Sequence, residues 1–167
     1  MIRCAVLMGV SGCGKTSVGQ ALAERLPLTF IDGDTLHPDS NISKMASGLP
    51  LRDDDRMPWL QKVGTALEET PGVVVVGCSA LQRKYRDQIL KHAQEPVQFL
   101  HLAASYEVLR DRVNSRKGHF MPQSLLDSQF AALENLASDE LGVSINIAQS
   151  FDAVVQQAET HIRNTML

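Results

Sequence analysis

The feature that most constrains the fold of this chain is a glycine-rich octapeptide close to its start. It fits the pattern G-x-x-x-x-G-K-S/T at every fixed position, and an apolar run at 4–8 precedes it. A segment with apolar residues at helical spacing follows it. Strand, glycine loop and helix in this order predict a phosphate-binding site, because backbone N–H groups and a helix N-terminus attract anions. The octapeptide consists of Gly9, Val10, Ser11, Gly12, Cys13, Gly14, Lys15 and Thr16.

We refer to residues 9–16 as the phosphate loop, and we expect all eight to contact a nucleotide. The pattern is typical of loops that bind a nucleoside triphosphate, with the lysine reaching the outer phosphates and the hydroxyl holding Mg²⁺. Lys15 is therefore a predicted catalytic and nucleotide-binding residue, and Thr16 is a predicted metal ligand. Ser17 joins the predicted nucleotide-binding residues. ATP and Mg²⁺ are the cofactors that this loop predicts.

Two aspartates, Asp32 and Asp34, follow the second apolar run at 28–31. Ligands of open parallel sheets lie beyond the carboxyl ends of the strands, so we expect both carboxylates beside the phosphate loop. The third apolar run, at 73–76, ends in Gly77 and not in an acid, which leaves Asp32 as the candidate metal carboxylate. Asp34 is expected to accept the proton of an attacking hydroxyl, or alternatively to cap the helix that follows.

Apolar runs and helical patterns alternate along the whole chain, and this alternation predicts an α/β fold. Four consecutive valines at 73–76 indicate a strand that is buried on both faces, as in the centre of a parallel sheet. Further strands are expected at 97–102 and 143–147. We predict a single domain over 1–167, with a five-stranded parallel sheet flanked by helices in three layers.

Two segments depart from the alternation. A polar insertion at 36–59 is too long for a plain connection and is predicted to bind substrate, with a short helix at 39–47 and a further helix beginning at Pro58. Two helices joined by a basic, glycine-containing turn, at about 112–130, predict a lid.

Arginines in these two segments are candidate ligands for anions, because the planar guanidinium donates two hydrogen bonds at once. Arg112 and Arg116 lie four residues apart at the predicted lid, where we expect both to bind the nucleotide and Arg116 to be catalytic. Arg52 and Arg56 flank three aspartates in the insertion. A solvated surface position is the alternative for each arginine.

Composition excludes some classes of partner. The net charge is only −3 and no basic stripe is present, which argues against a nucleic-acid surface. No run approaches the roughly 20 apolar residues of a membrane span. Three cysteines without metal-ligand spacing favour a reducing, cytoplasmic location.

Longer motifs in the chain resemble the bacterial-type gluconate kinases, one of the families of P-loop small-molecule kinases. The resemblance extends from the first strand to the predicted lid and becomes loose after residue 134. Besides 8–16, its motifs are DGDxLHP at 32–38, NIxKM at 41–45, GxPLxDDDRxPWL at 48–60, CSAL at 78–81, YRD at 85–87, RKGHFM at 116–121 and SQF at 128–130.

This resemblance implies transfer of the γ-phosphate of ATP to the 6-hydroxyl of D-gluconate, giving 6-phosphogluconate and ADP. It also implies a nucleoside-monophosphate-kinase-like fold and a homodimer. Gluconate is a small anionic polyol, so its site needs cations for the carboxylate and polar groups for the hydroxyls. The candidate substrate-binding residues are Asp34, His37, Arg52, Arg56, Ser79 and Arg86.

Two other functions stay open from the sequence. One is a kinase of the same fold that acts on another small hydroxy acid, such as shikimate, or on a nucleotide. The other is a nucleotide-binding regulatory module without transferase activity. A paired carboxylate and a lid favour the kinases, whereas a regulatory module would bind or hydrolyse nucleotide without dependence on an acceptor.

Overall fold

The computed structural model describes residues 1–115 and 122–167. Five strands form one sheet in the order β2-β3-β1-β4-β5, and every neighbouring pair is parallel. This arrangement confirms the predicted five-stranded parallel sheet. The strands are β1 (Cys4–Met8), β2 (Leu28–Asp32), β3 (Val73–Gly77), β4 (Val97–Ala103) and β5 (Gly142–Asn146).

Helices cover both faces of this sheet. One apolar core lies between the sheet and helices α1 and α7, and a second core lies between the sheet and helices α3 and α4. A single 3₁₀ turn, Gly33–Leu36, follows β2. The α-helices in the described ranges are α1 (Lys15–Arg25), α2 (Asp39–Ala46), α3 (Asp53–Glu69), α4 (Arg83–Ala93), α5 (Tyr106–Ser115), α6 (Gln123–Ala132) and α7 (Phe151–Thr165).

The central strand β1 shows why the sheet has a helical layer on each side. Its five residues are fully buried, and they alternate between the two cores. Ala5 and Leu7 pack towards α1 and α7, whereas Val6 and Met8 pack towards α3 and α4. An apolar side chain at every position is therefore required, since neither face of β1 reaches water.

The start of α3 differs from the prediction. We expected a helix from Pro58, but α3 begins at Asp53 and contains Pro58 in its second turn. The Asp55 carboxylate accepts a hydrogen bond from the Arg52 backbone N–H at 2.8 Å, and the backbone N–H groups of Asp55 and Arg56 donate to the Arg52 carbonyl. Acidic residues at a helix N-terminus also interact favourably with the helix dipole. These contacts stabilise a first turn that a proline preference alone does not reveal.

Helices α3 and α4 pack with almost no space between their backbones. A Cβ atom built on Gly64 of α3 would lie 2.6 Å from the Ile89 carbonyl oxygen and 2.8 Å from the His92 Cβ of α4. Only glycine allows this approach, so α3 and α4 form a closely joined pair beside the second core.

Candidate active site

The phosphate loop lies between β1 and α1 and is folded by its own backbone. Gly9 has a φ of +146°, and a Cβ atom on it would lie 2.9 Å from the Leu102 carbonyl oxygen. The Gly9 N–H donates to the Ser79 carbonyl at 3.1 Å, and the Cys13 N–H donates to the Val10 carbonyl at 3.2 Å. Glycine and backbone hydrogen bonds therefore determine the path of the loop.

The side chains at the end of the loop lie at the N-terminus of α1. The Lys15 ammonium donates to the carbonyl oxygens of Gly9, at 3.0 Å, and Val10, at 3.3 Å. Thr16 and Ser17 are exposed in the first turn of α1. A cation, two hydroxyls and the N-terminus of a helix are the groups expected around the phosphates of a nucleotide.

The two aspartates reach this loop because two glycines let the strands approach. A Cβ atom on Gly33 would lie 2.2 Å from the Gly77 carbonyl oxygen, so no other residue fits between Asp32 and Asp34. A Cβ atom on Gly77 would lie 3.8 Å from the Lys15 Cβ. The backbone of Gly77 therefore lies between Gly33, which joins the two aspartates, and Lys15.

Cys78 confirms that charges from both sides meet at the end of β3. Burial raises the pKa of its thiol to about 12, and this is the largest influence on it. The positive charge of Lys15 lowers that pKa, and the negative charge of Asp34 raises it. Both side chains therefore lie close enough to one buried atom for their charges to act on it.

Asp32, and not Asp34, caps the helical turn that follows β2. The Asp32 carboxylate caps the 3₁₀ turn by accepting a hydrogen bond from the Asp34 backbone N–H at 3.0 Å. Asp34 itself is exposed, and among residues 1–115 and 122–167 no group donates a hydrogen bond to its carboxylate. One oxygen of Asp32 remains for a cation, and both oxygens of Asp34 remain for a substrate.

His37 lies directly after the 3₁₀ turn and is packed against Trp59. The two rings stack with centroids 4.1 Å apart, and burial lowers the pKa of His37, so the imidazole is neutral at pH 7. The Asn41 side-chain amide donates to His37 Nδ1 at 3.2 Å and to the Asp55 carbonyl at 2.9 Å. Because Nδ1 accepts, the proton of His37 lies on Nε2 and can be donated to a ligand.

The insertion is held in place by its aspartates. Asp55 accepts from Lys44 of α2 at 2.6 Å, and Asp53 accepts from Lys84 at 2.5 Å and from the Tyr85 hydroxyl at 2.6 Å, both of α4. These hydrogen bonds lower the pKa values of Asp53 and Asp55. The first turn of α3 is therefore tied to α2 on one side and to α4 on the other.

Among the predicted substrate residues, Arg56 and Arg52 keep accessible guanidinium groups. Arg56 donates to the Tyr85 hydroxyl at 3.3 Å and lies 5.6 Å from the centre of its ring, with about a third of the side chain exposed. Arg52 is exposed at the start of α3. Ser79 is half-buried, and its carbonyl rather than its hydroxyl has the contact with Gly9.

Arg86 corrects the predicted substrate site. It is completely buried, and its guanidinium forms a two-point ion pair with Glu140 at 2.6 and 3.0 Å. The remaining guanidinium nitrogen donates to the carbonyls of Ala80 and Leu81. Arg86 therefore stabilises the connection between β3 and α4, and its side chain is not accessible to a substrate. No sequence pattern indicated this pair, since Glu140 lies 54 residues further on.

The predicted lid is described only in part. Arg112 is half-buried and donates a hydrogen bond to the Ile147 carbonyl. Arg116 lies outside the described residues, as does the basic turn that follows it. Val113 of α5 reaches the phosphate loop, because a Cβ atom on Gly12 would lie 3.0 Å from its methyl group. The last turn of α5 therefore lies against the phosphate loop.

Two side chains with contacts at the site had no predicted role. The Trp59 indole N–H donates to the Gly33 carbonyl at 2.8 Å and so fixes the backbone between Asp32 and Asp34. Gln129 of α6 contacts Ser11 of the phosphate loop. Neither contact leaves a local pattern, because each depends on the folded path of the chain.

The fold and the site together define a class of protein. A phosphate loop after the central strand of a 2-3-1-4-5 parallel sheet, with the exposed carboxylate of Asp34 across Gly77, is the arrangement of a P-loop small-molecule kinase. Residues 1–115 and 122–167 contain no helix that is long and apolar enough to span a membrane.

Comparisons with known proteins identify the family. A model described as "Shikimate kinase" matches residues 11–162. The thermoresistant gluconokinase of Escherichia coli K12 is 44% identical over 154 residues, which are 90% of this chain and 87% of that protein. A crystal structure of a gluconokinase from Sinorhizobium meliloti 1021 has a TM-score of 0.88 and 45% identity, covering 96% of this chain and 91% of that one.

A more distant structure shows the fold alone. Shikimate kinase from Aquifex aeolicus has a TM-score of 0.60 at 15% identity, covering 96% of both chains. The chain therefore belongs to the gluconokinases, within the P-loop kinases that the shikimate kinase model describes.

Proposed function

We propose that this enzyme transfers the γ-phosphate of ATP to the 6-hydroxyl of D-gluconate, giving 6-phospho-D-gluconate and ADP. The observation that carries the proposal is the exposed carboxylate of Asp34, across Gly77 from Lys15, in a chain that shares over 40% of its residues with gluconokinases. The carboxylate can accept the proton of an attacking alcohol. The names of the relatives indicate that this alcohol is gluconate.

On the donor side, the phosphate loop binds and neutralises the triphosphate. Backbone N–H groups of the phosphate loop, those of Gly12, Gly14, Lys15 and Thr16, contact phosphate oxygens, and Lys15 stabilises the negative charge that develops on the transferred group. Arg112 and Arg116 are proposed to add positive charge from the lid.

The acceptor hydroxyl is activated by Asp34. Its carboxylate accepts the hydroxyl proton while the hydroxyl oxygen bonds to the γ-phosphorus. The bond between that phosphorus and the oxygen bridging to the β-phosphate breaks, and ADP leaves with the electron pair. The transferred phosphate ends on the sugar acid, and the proton ends on Asp34.

Two residues, one at the start of α1 and one at the end of β2, fit Mg²⁺. Thr16 offers a hydroxyl and Asp32 has one carboxylate oxygen that is not used in capping, and both are oxygen ligands of the kind that Mg²⁺ prefers. We propose that these two residues hold the ion, which neutralises phosphate charge when it is bound. Few protein ligands are expected, since Mg²⁺ keeps several waters and is also bound by the phosphates.

We propose that gluconate lies between Asp34 and the start of α3. The Nε2–H of His37 and the hydroxyl of Ser79 are donors for the polyol chain. Arg52 and Arg56 are the cations for its carboxylate, and Arg56 is the better placed because Tyr85 fixes its position. Arg86 has no part in this site.

Three features beyond the reaction are also proposals. We infer one domain over 1–167, in which the insertion at 36–59 binds gluconate and the segment at 112–130 closes over ATP. A homodimer is inferred from the resemblance to gluconate kinases, and sedimentation equilibrium tests it. A cytoplasmic location is supported by Cys4, Cys13 and Cys78, which are all buried thiols.

A panel of acceptors tests the function. ADP release is measured with ATP and Mg²⁺ in the presence of gluconate, shikimate, other sugar acids or nucleoside monophosphates, and with no acceptor. We expect the highest kcat/KM with gluconate and the loss of turnover with EDTA. Shikimate is the critical competitor because the family model carries its name. A rate that depends on shikimate, or on no acceptor, would contradict the proposed reaction.

A further inference from the structure

The side chain of Gln129 makes a two-point contact with the phosphate loop. Its oxygen Oε1 accepts a hydrogen bond from the Ser11 backbone N–H at 2.6 Å, and its nitrogen Nε2 donates to the Ser11 hydroxyl at 2.9 Å. Both groups of the carboxamide thus meet complementary groups of one residue. The two residues lie 118 positions apart in the chain.

The rest of α6 is packed so that Gln129 cannot drift from this position. Leu126, one turn earlier, is buried with 2% of its surface exposed. Phe130, the next residue, packs edge-on against Tyr106 of α5 with ring centroids 5.5 Å apart. The carboxamide is therefore presented to the loop by a helix that is anchored on both sides of it.

Ser11 is the point of the loop at which such a contact matters most. It precedes Gly12, whose φ is +85°, and it follows Gly9 by two residues, so glycine flanks it on both sides. Glycine loses more conformational freedom on ordering than any other residue. A loop that is already ordered before the nucleotide arrives binds it with a smaller entropic cost.

We propose that Gln129 is a positioning residue that holds the phosphate loop in its nucleotide-binding shape through Ser11. Within the described residues, the Gln129 carboxamide bonds to Ser11 alone, so the N–H groups of Gly12, Gly14, Lys15 and Thr16 are left for phosphate oxygens. The carboxamide is neutral and contacts the loop at its third residue, Ser11. The inference concerns the donor site of the proposed kinase and rests on that function.

The test compares Gln129→Met, which keeps the shape of the side chain and removes both hydrogen bonds, with Ser128→Ala. Ser128 is exposed, and its hydroxyl donates to the Leu125 carbonyl of its own helix. Dissociation constants for ADP and a non-hydrolysable ATP analogue are measured calorimetrically without any acceptor. We expect Gln129→Met to weaken both about fivefold to tenfold, the size of one or two hydrogen bonds, and Ser128→Ala to change neither.

A double-mutant cycle with Ser11→Ala separates positioning from a general loss of structure. Ser11→Ala removes one of the two hydrogen bonds, so in the Gln129→Met background it should weaken nucleotide binding by a smaller factor than in the wild type. Factors that simply multiply would overturn the proposal, and so would unchanged or tighter binding in Gln129→Met. Tighter binding in Gln129→Met would mean that the carboxamide obstructs the binding of nucleotide to the loop.

Hydrogen exchange supplies a readout that survives if Gln129→Met does not fold. The Ser11 amide of the wild-type protein should exchange slowly before nucleotide is added, and fast exchange of that amide would refute the contact. Neither measurement uses gluconate. Altered nucleotide affinity in a protein that phosphorylates no gluconate would therefore overturn the proposed acceptor and leave the role of Gln129 standing.

Discussion

The phosphate loop and the insertion at 36–59 are built by different kinds of contact. Backbone hydrogen bonds and glycine conformations shape the loop, as at Gly9. Hydrogen bonds that Asp53 and Asp55 accept from Lys84 and Lys44 hold the insertion against α4 and α2. The groups that the loop offers to a ligand are mostly backbone N–H groups, which the substitution of a side chain does not remove. A site built from side chains changes with single substitutions, so we expect acceptor preference to be determined in the insertion.

Lys15→Met should give the largest effect, because it removes the one side-chain cation of the phosphate loop. We expect kcat to fall about a thousandfold, as when a preorganised charge-stabilising donor is lost. The coupled ADP assay at saturating gluconate measures it. Lys62→Met, on the exposed face of α3, is the matched control. A loss of less than tenfold would show that the loop backbone suffices for catalysis.

Asp34→Asn tests the group that faces the loop from the acceptor side. Asparagine keeps the shape of the side chain and cannot accept the hydroxyl proton, so kcat should fall about a hundredfold, the lower end of what general acid–base catalysis usually contributes. Calorimetry should find nucleotide affinity unchanged. Asp39→Asn, an exposed change at the start of α2, is the control. A kcat close to that of the wild type would remove Asp34 from the reaction.

The buried ion pair of Arg86 and Glu140 stabilises the connection between β3 and α4. The exposed ion pair of Arg83 and Asp139 lies next to it and serves as the reference. Glu140→Ala leaves the buried charge of Arg86 unpaired and should lower the free energy of unfolding by about 3 kcal/mol. Asp139→Ala breaks the exposed pair with Arg83, which water screens, and should lower the free energy of unfolding much less.

Urea unfolding measures both variants of this comparison. Arg86→Met combined with Glu140→Leu replaces the pair by apolar side chains and should recover much of the lost stability. Equal losses from Glu140→Ala and Asp139→Ala would mean that burial does not distinguish the two pairs.

Arg56→Ala should affect the insertion and leave the loop intact. Loss of a charged hydrogen-bond donor to the gluconate carboxylate predicts a KM for gluconate about tenfold higher, with the KM for ATP unchanged. Tyr85→Phe removes only the hydroxyl that contacts Arg56 and should have a smaller effect in the same direction. Arg110→Ala, at an exposed position of α5, is the control. A parallel rise in both KM values would contradict a local role for Arg56.

The smallest effect expected is on the pH dependence of stability. Hydrogen bonds from Lys84 and Lys44 lower the pKa values of Asp53 and Asp55 below their ordinary value of 3.8. The stability from these pairs is complete above that value and is lost as the pH falls below it. Urea unfolding of Asp53→Asn at pH 6 and pH 3 should show a weaker dependence on pH than the wild type. The same change at the exposed Asp54 is the control, and an equal effect there would refute the assignment.

The parts of the site that depend on neighbouring residues were predictable, and the parts that depend on distant ones were not. The phosphate loop and the Asp32 and Asp34 pair follow from spacing, because strand ends place adjacent residues together. The same reasoning gave all five strands within a residue or two. The two-point contacts of Arg86 with Glu140 and of Gln129 with Ser11 join residues 54 and 118 positions apart, and no periodicity encodes them. In the sequence Arg86 does not differ from the neighbouring cations Arg83 and Lys84, and its burial follows only from the fold.

Glycine at position 64 has a consequence for how acceptor preference can change. Because α3 and α4 touch through their backbones there, Arg56 of α3 and Tyr85 of α4 keep a fixed spacing. A single methyl group at Gly64, about 12 Å along α3 from Arg56 at 1.5 Å per residue, would push the helices apart. Substrate selectivity can therefore drift through mutations that touch no substrate, and a search for its determinants should include the seam between these two helices.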